Sequence, residues 1–168
     1  MARNGELRYL ILAAQREGSR LFADQVRPLG LTPSQAEVLR VLHEAQPLSL
    51  IALGERLVCE TGSPSRLVDG LVQAGLVTRR PSATDQRKVT LSLTPAGAAR
   101  YQQLAAVEQR FDALITQFTS GGDPATLAVI TAALWQFVQD KPSGRALARR
   151  FPNNGPDIGN SEDDTRGR

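Results

Sequence analysis

The chain has 168 residues, 41% of them hydrophobic, enough for one cooperatively folded unit or two small lobes sharing helices and too few for a larger multidomain assembly. Lys and Arg outnumber Asp and Glu by 20 to 17, and because the segment from Pro152 on is acidic, the rest is more basic than the whole, which favours a polyanionic partner. A single cysteine and a single histidine exclude an intramolecular disulfide and argue against a Cys/His zinc site within one chain.

Aromatic residues make up only 5% of the chain, so a core shared between subunits is expected. Leu7, Leu10, Ile11, Ala14, Leu21, Phe22 and Val26 recur at helical spacing and predict a long first helix ending by Arg27-Pro28. Thr32-Pro33-Ser34-Gln35 reads as a capping box opening a second helix with Ala36, Val38, Leu39 and Leu42 on its apolar side. Gln46-Pro47 ends that helix, and Ser49 caps a short element carrying Ile51, Leu53 and Leu57. Thr61 to Ser65 supply caps and a first-turn proline for a helix with Leu67, Val68, Leu71 and Val72 inward and Gly75 as its left-handed stop.

The period then changes. Val77 to Arg80 reads as a strand, Pro81 to Lys88 as a polar loop, and Val89, Leu91 and Leu93 alternate with Thr90 and Ser92, which makes a hairpin with a charged tip. Thr94-Pro95 starts a long helix with Tyr101, Leu104, Phe111, Leu114, Ile115 and Phe118 along one stripe, stopped by Ser120-Gly121-Gly122. Asp123-Pro124 caps a further helix through Val138, and Pro142-Ser143-Gly144 is expected to separate a short basic remnant through Arg150. The Asn/Gly/Asp-rich tail, 152–168, is expected to be disordered.

The expected fold class is therefore mainly α with a small β-hairpin wing: a winged helix-turn-helix lobe at 31–94, flanked by helices at 1–30 and 95–151. A major groove admits one helix, whose N-terminal end reads base edges, and here that end carries Thr61, Ser63, Ser65 and Arg66. The hairpin adds Arg79, Arg80, Arg87 and Lys88, suited to phosphates or to the narrow minor groove.

From Leu7 to Val138 the sequence resembles the MarR family of bacterial regulators. The resemblance is carried by Ser65-Arg66-Leu67-Val68-Asp69, Leu71, Gly75-Leu76-Val77, Asp85-Gln86-Arg87, Val89 to Thr94, and Gly97. It implies a homodimer in which the first and last two helices interleave to form the dimerisation region. Each lobe then reads half of a near-palindromic operator on double-stranded DNA, with half-sites about 10 base pairs or a multiple apart. It implies further that Arg87, oriented by Asp85, enters the minor groove, and that Asp69 pairs with Arg79 or Arg87 to position the wing. For each of these charges the alternative is a solvated surface residue. Pro64 departs from the family pattern and leaves open which of Thr61, Ser63 and Ser65 caps the helix and which faces bases.

Many relatives are released from DNA by small aromatic acids, and Arg16, Arg20 and His43 are the polar candidates for such an effector pocket, against a solvated or interfacial reading. Cys59, just before the recognition helix, invites a redox reading; a buried structural thiol is the preferred one, because peroxide sensors of the family share a cysteine near the start of the chain and none precedes Cys59 here. No cofactor or metal is expected. An enzyme is disfavoured, since only His43 and Cys59 are at hand and neither sits in a recognised motif. Without a long apolar run, no membrane association is expected and the cytoplasm is the expected location. The sequence points to transcription regulation, with repression the expected sign; the rival is a winged-helix module that binds protein instead of specific DNA.

Overall fold

The computed structural model describes residues 3–58, 63–81 and 88–152. Its elements run α1 (Arg3–Val26), α2 (Pro33–Ala45), α3 (Leu50–Gly54), α4 (Pro64–Gln73), β1 (Val77–Pro81), β2 (Val89–Leu93), α5 (Pro95–Ser120), α6 (Pro124–Val138) and α7 (Pro142–Arg150).

The boundaries follow from local chemistry. After α1 the chain makes one 3₁₀ turn over Arg27–Leu29, closed by Gly30 at φ 69°, where a side chain would be strained. Thr32 and Gln35 form the reciprocal capping box of α2, and Ser49 Oγ accepts the Ala52 N–H at 3.1 Å to cap α3. At the end of α4, Gly75 at φ 70° donates to the Val72 carbonyl and Leu76 to the Leu71 carbonyl, both at 2.9 Å, the Schellman arrangement that turns the chain into β1. Strands β1 and β2 are antiparallel with Val77 opposite Leu93, Arg79 opposite Leu91 and Pro81 opposite Val89. Leu48 bridges to Leu91 through bonds of 3.1 and 2.7 Å, which ties the loop between α2 and α3 to the hairpin. Thr94 and Asp123 accept N–H groups in the first turns of α5 and α6.

One segment differs from expectation. The separation after α6 falls at 139–141, just before Pro142-Ser143-Gly144; Pro142 occupies the first turn of α7, where its missing N–H costs nothing, and the basic run through Arg150 becomes the rest of that helix. Gly144 is buried, and an added Cβ would lie 2.0 Å from the Val138 carbonyl oxygen, so only glycine lets α7 turn this closely against the end of α6.

Two regions differ in burial. Val26, Val38, Leu39, Leu42, Leu53, Val68, Leu71, Leu91 and Leu104 are essentially inaccessible and join the winged lobe to the first half of α5. By contrast α6 buries none of its residues, and large apolar side chains of α1, the far end of α5, and α6 face outward, including Phe118 at 75% and Phe137 at 71% exposure. Among the described residues, no helix is long and apolar enough to cross a membrane.

Candidate nucleic-acid interface

α3, a turn and α4 form a helix-turn-helix whose second helix is anchored by Val68 and Leu71, both at 0% exposure. With that face fixed, Ser65, Arg66 and Asp69 lie at positions directed away from the core, and Arg66 is exposed. Ser63 is the N-cap, in extended backbone at φ −166°, with Pro64 following in the first turn. The Ser63 hydroxyl makes no cap bond, so the N–H groups at the positive end of α4 are not satisfied by it.

The wing is joined to this helix by an ion pair. Strand alternation puts Arg79 on the same face as Val77 and opposite Leu91, the side that packs on α4, and its Nη2 reaches Asp69 Oδ1 at 2.7 Å. Of the two partners considered for Asp69, the structure joins it to Arg79. Arg80 falls on the other face and is exposed, as is Lys88 at the start of the returning arm. Thr61, Asp85, Arg87 and Cys59 lie outside the described residues.

A second constellation, absent from the sequence reading, lies behind the helix-turn-helix. Glu37 and Glu108 are buried carboxylates on α2 and α5. Arg40 Nη1 donates to Glu108 Oε2 at 2.8 Å and its Nε to Glu44 Oε1 at 2.9 Å. Arg150, at the end of α7, donates to Glu37 Oε1 at 2.9 Å, and the same oxygen accepts the Val58 N–H at 2.8 Å. Burial pushes the Glu108 carboxyl above its ordinary value, with Arg40 only partly offsetting it. For Arg40 burial acts downward, but Glu108 and Glu44 outweigh it and raise the guanidinium above its usual value. The Glu37, Arg40 and Glu44 spacing reads as an ordinary helical surface series; only a glutamate amid Ala36, Val38 and Leu39 hinted at a buried role.

Beside this network a cleft of about 360 Å³ opens between α1, α2 and α5, with Phe22, Phe111, Ile115, Arg40, Glu108 and Arg150 among its walls. Phe22 and Phe111 are 5.1 Å apart between ring centroids. Arg16, Arg20 and His43 are not brought together there. Arg16 is exposed on α1 outside the cleft lining, Arg20 is exposed and paired with Glu17 at 3.1 Å, and His43 stacks on Tyr101 at 4.0 Å. The cleft's cationic groups are instead Arg40 and Arg150.

Residues 31–89, from the start of α2 to the start of β2, match the MarR family. The organic hydroperoxide resistance transcriptional regulator of Bacillus subtilis is 32% identical over 98 residues, 58% of this chain and 67% of that protein. The multiple antibiotic resistance protein MarR of Escherichia coli is 31% identical over 119 residues, 70% of this chain and 83% of that protein. The fold superposes on a mutant of E. coli MarR complexed with operator DNA with a TM-score of 0.69 and 28% identity, covering 79% of this chain and 94% of that one. The chain belongs to the MarR family of winged-helix transcriptional regulators, which are not enzymes.

Proposed function

We propose that the protein acts as a cytoplasmic homodimer that binds a near-palindromic operator in duplex DNA and represses transcription, leaving the operator when a small aromatic ligand occupies the cleft between α1, α2 and α5. The observation that carries the reading is the Asp69–Arg79 bond, which joins recognition helix and wing, with Arg66 and Arg80 exposed beside it. That a related MarR was solved with operator DNA supports it. Ser63, Ser65 and Arg66 are assigned to the major groove, and Arg79, Arg80, Arg87 and Lys88 to phosphates and the minor groove, with Asp85 orienting Arg87. The apolar faces of α1, α5 and α6 are assigned to the dimer, because they leave many large apolar side chains in water, which a second copy would cover. Aromatic walls and two guanidinium groups suit the cleft to an aromatic acid.

The test is competition between a duplex from upstream of the protein's own gene and random duplex in a gel shift. Arg87→Ala is expected to weaken operator binding by about 1–3 kcal/mol and leave the dimer intact. Equal affinity of the two proteins removes the wing tip from the mechanism.

A further inference from the structure

Val58 lies in the connection that leaves α3, and its N–H bonds to the Glu37 side chain. Glu37 is 9% exposed, and a counter-charge in contact with it comes from 113 residues further along the chain, Arg150 at the last turn of α7, itself 11% exposed. Arg149 adds a second anchor on the same exit from α3: its Nη2 lies 3.6 Å from Glu55 Oε2 and its Nη1 donates to the Glu55 carbonyl at 3.5 Å. Gly144 makes this seat reachable, since the tight passage from α6 into α7 has no room for a Cβ.

We infer that α7 is a latch on the helix-turn-helix, with Arg150 as the positioning residue that holds Glu37 and, through it, the backbone at Val58 on the exit from α3. The inference rests on the reading of α3 and α4 as the DNA-reading unit. Arg150 also lines the cleft, and its Nε makes no hydrogen bond among the described residues, lying 3.8 Å from Glu44 Oε2. One guanidinium thus faces two claimants: Glu37, which keeps the turn in place, and any anion in the cleft. An anion that draws Arg150 towards itself removes this guanidinium from Glu37 and so loosens the seat of the carboxylate that accepts the Val58 N–H. The path from the cleft to the exit from α3 is one guanidinium, one carboxylate and one backbone N–H long.

The experiment is amide hydrogen exchange on the full chain, read at Val58 and along α4, in Arg150→Met, Glu37→Gln and the double variant, with operator affinity measured in parallel. Loss of a charge-assisted buried bond is expected to speed Val58 exchange by about tenfold or more in each single variant, while the interior of α2 is unchanged. The double variant is expected to show no further increase, since both substitutions break one chain of contacts. Arg150→Lys keeps the charge but not the fork, and an increase of about threefold is expected there; it decides the question if Arg150→Met does not fold. Operator affinity is expected to fall in step with Val58 exchange. Unchanged Val58 exchange in a folded Arg150 variant, or effects that simply add in the double variant, overturns the latch. Absence of operator binding by the unmodified protein overturns the DNA reading instead, and the exchange results still decide whether α7 holds the turn.

Discussion

Both members of the Asp69–Arg79 pair are more than a third exposed, so the pair contributes only about 0.2–1 kcal/mol to stability, and its importance is geometric: it fixes where one wing arginine sits relative to the recognition helix. Removing the carboxylate has two opposed effects on DNA binding. It deletes a negative charge near phosphates, which favours every duplex, and it releases Arg79, which harms only a duplex that needs the wing in register. Asp69→Asn is therefore expected to leave the melting temperature nearly unchanged while lowering the ratio of operator to random-duplex affinity by roughly fivefold, about 1 kcal/mol, measured by competition binding. An unchanged ratio would show that the pair does not organise the interface. The pairing of Asp69 with a wing arginine was legible through the family resemblance, and the contact is found with Arg79 at 2.7 Å. Glu37 with Arg150 was not: their separation in sequence carries no periodic signal, and Arg150 ended what looked like a solvated basic run.

At the scale of elements, the sequence determined most boundaries through residues whose chemistry is local. Thr32, Ser49, Thr94 and Asp123 cap the helices that follow them, and Gly75 and Gly121 take the left-handed conformations their helix ends require. Ser63 shows the limit, because a serine before Pro64 has the right type for a cap yet its hydroxyl makes no cap bond. For α7, a proline that can end a helix can equally begin one, and the difference lies in packing that a one-dimensional reading does not contain. Gly97 belongs to the same category of tertiary requirement. It sits in the first turn of α5 where an added Cβ would lie 1.9 Å from the Leu76 carbonyl oxygen, the group that also accepts the Thr94 N–H at 3.0 Å. Gly97→Ala must push α5 away from the start of the wing, and a loss of at least about 3 kcal/mol in denaturant unfolding is expected. A loss below 1 kcal/mol, on the order of an ordinary surface substitution, would mean this contact is not kept in solution.

Among the described residues of the whole molecule, a fully buried core lies in the winged lobe and the base of α5, while α1, α6 and the tip of α5 carry exposed apolar side chains. The low aromatic content and the long apolar stripes pointed to this division before any coordinates. The cleft and the ion network lie at the junction of the two regions, where α1, α2, α5 and α7 meet, so an event there bears on both the exposed apolar helices and the helix-turn-helix. Such a junction is invisible in sequence because each of its residues belongs to a different helix with an unremarkable local pattern.

The central claim is that the surface formed by α4 and the wing binds duplex DNA through phosphate contacts and base readout. It is tested most directly by titrating the purified protein with a duplex selected from a random library, and with unselected duplex, across salt concentrations. Selective binding with two protein chains per duplex is expected, with an affinity that falls steeply with salt and a slope corresponding to roughly 6–10 phosphate contacts per dimer. No selected sequence, together with salt-independent absence of binding, would contradict it and favour a winged-helix module that contacts protein instead.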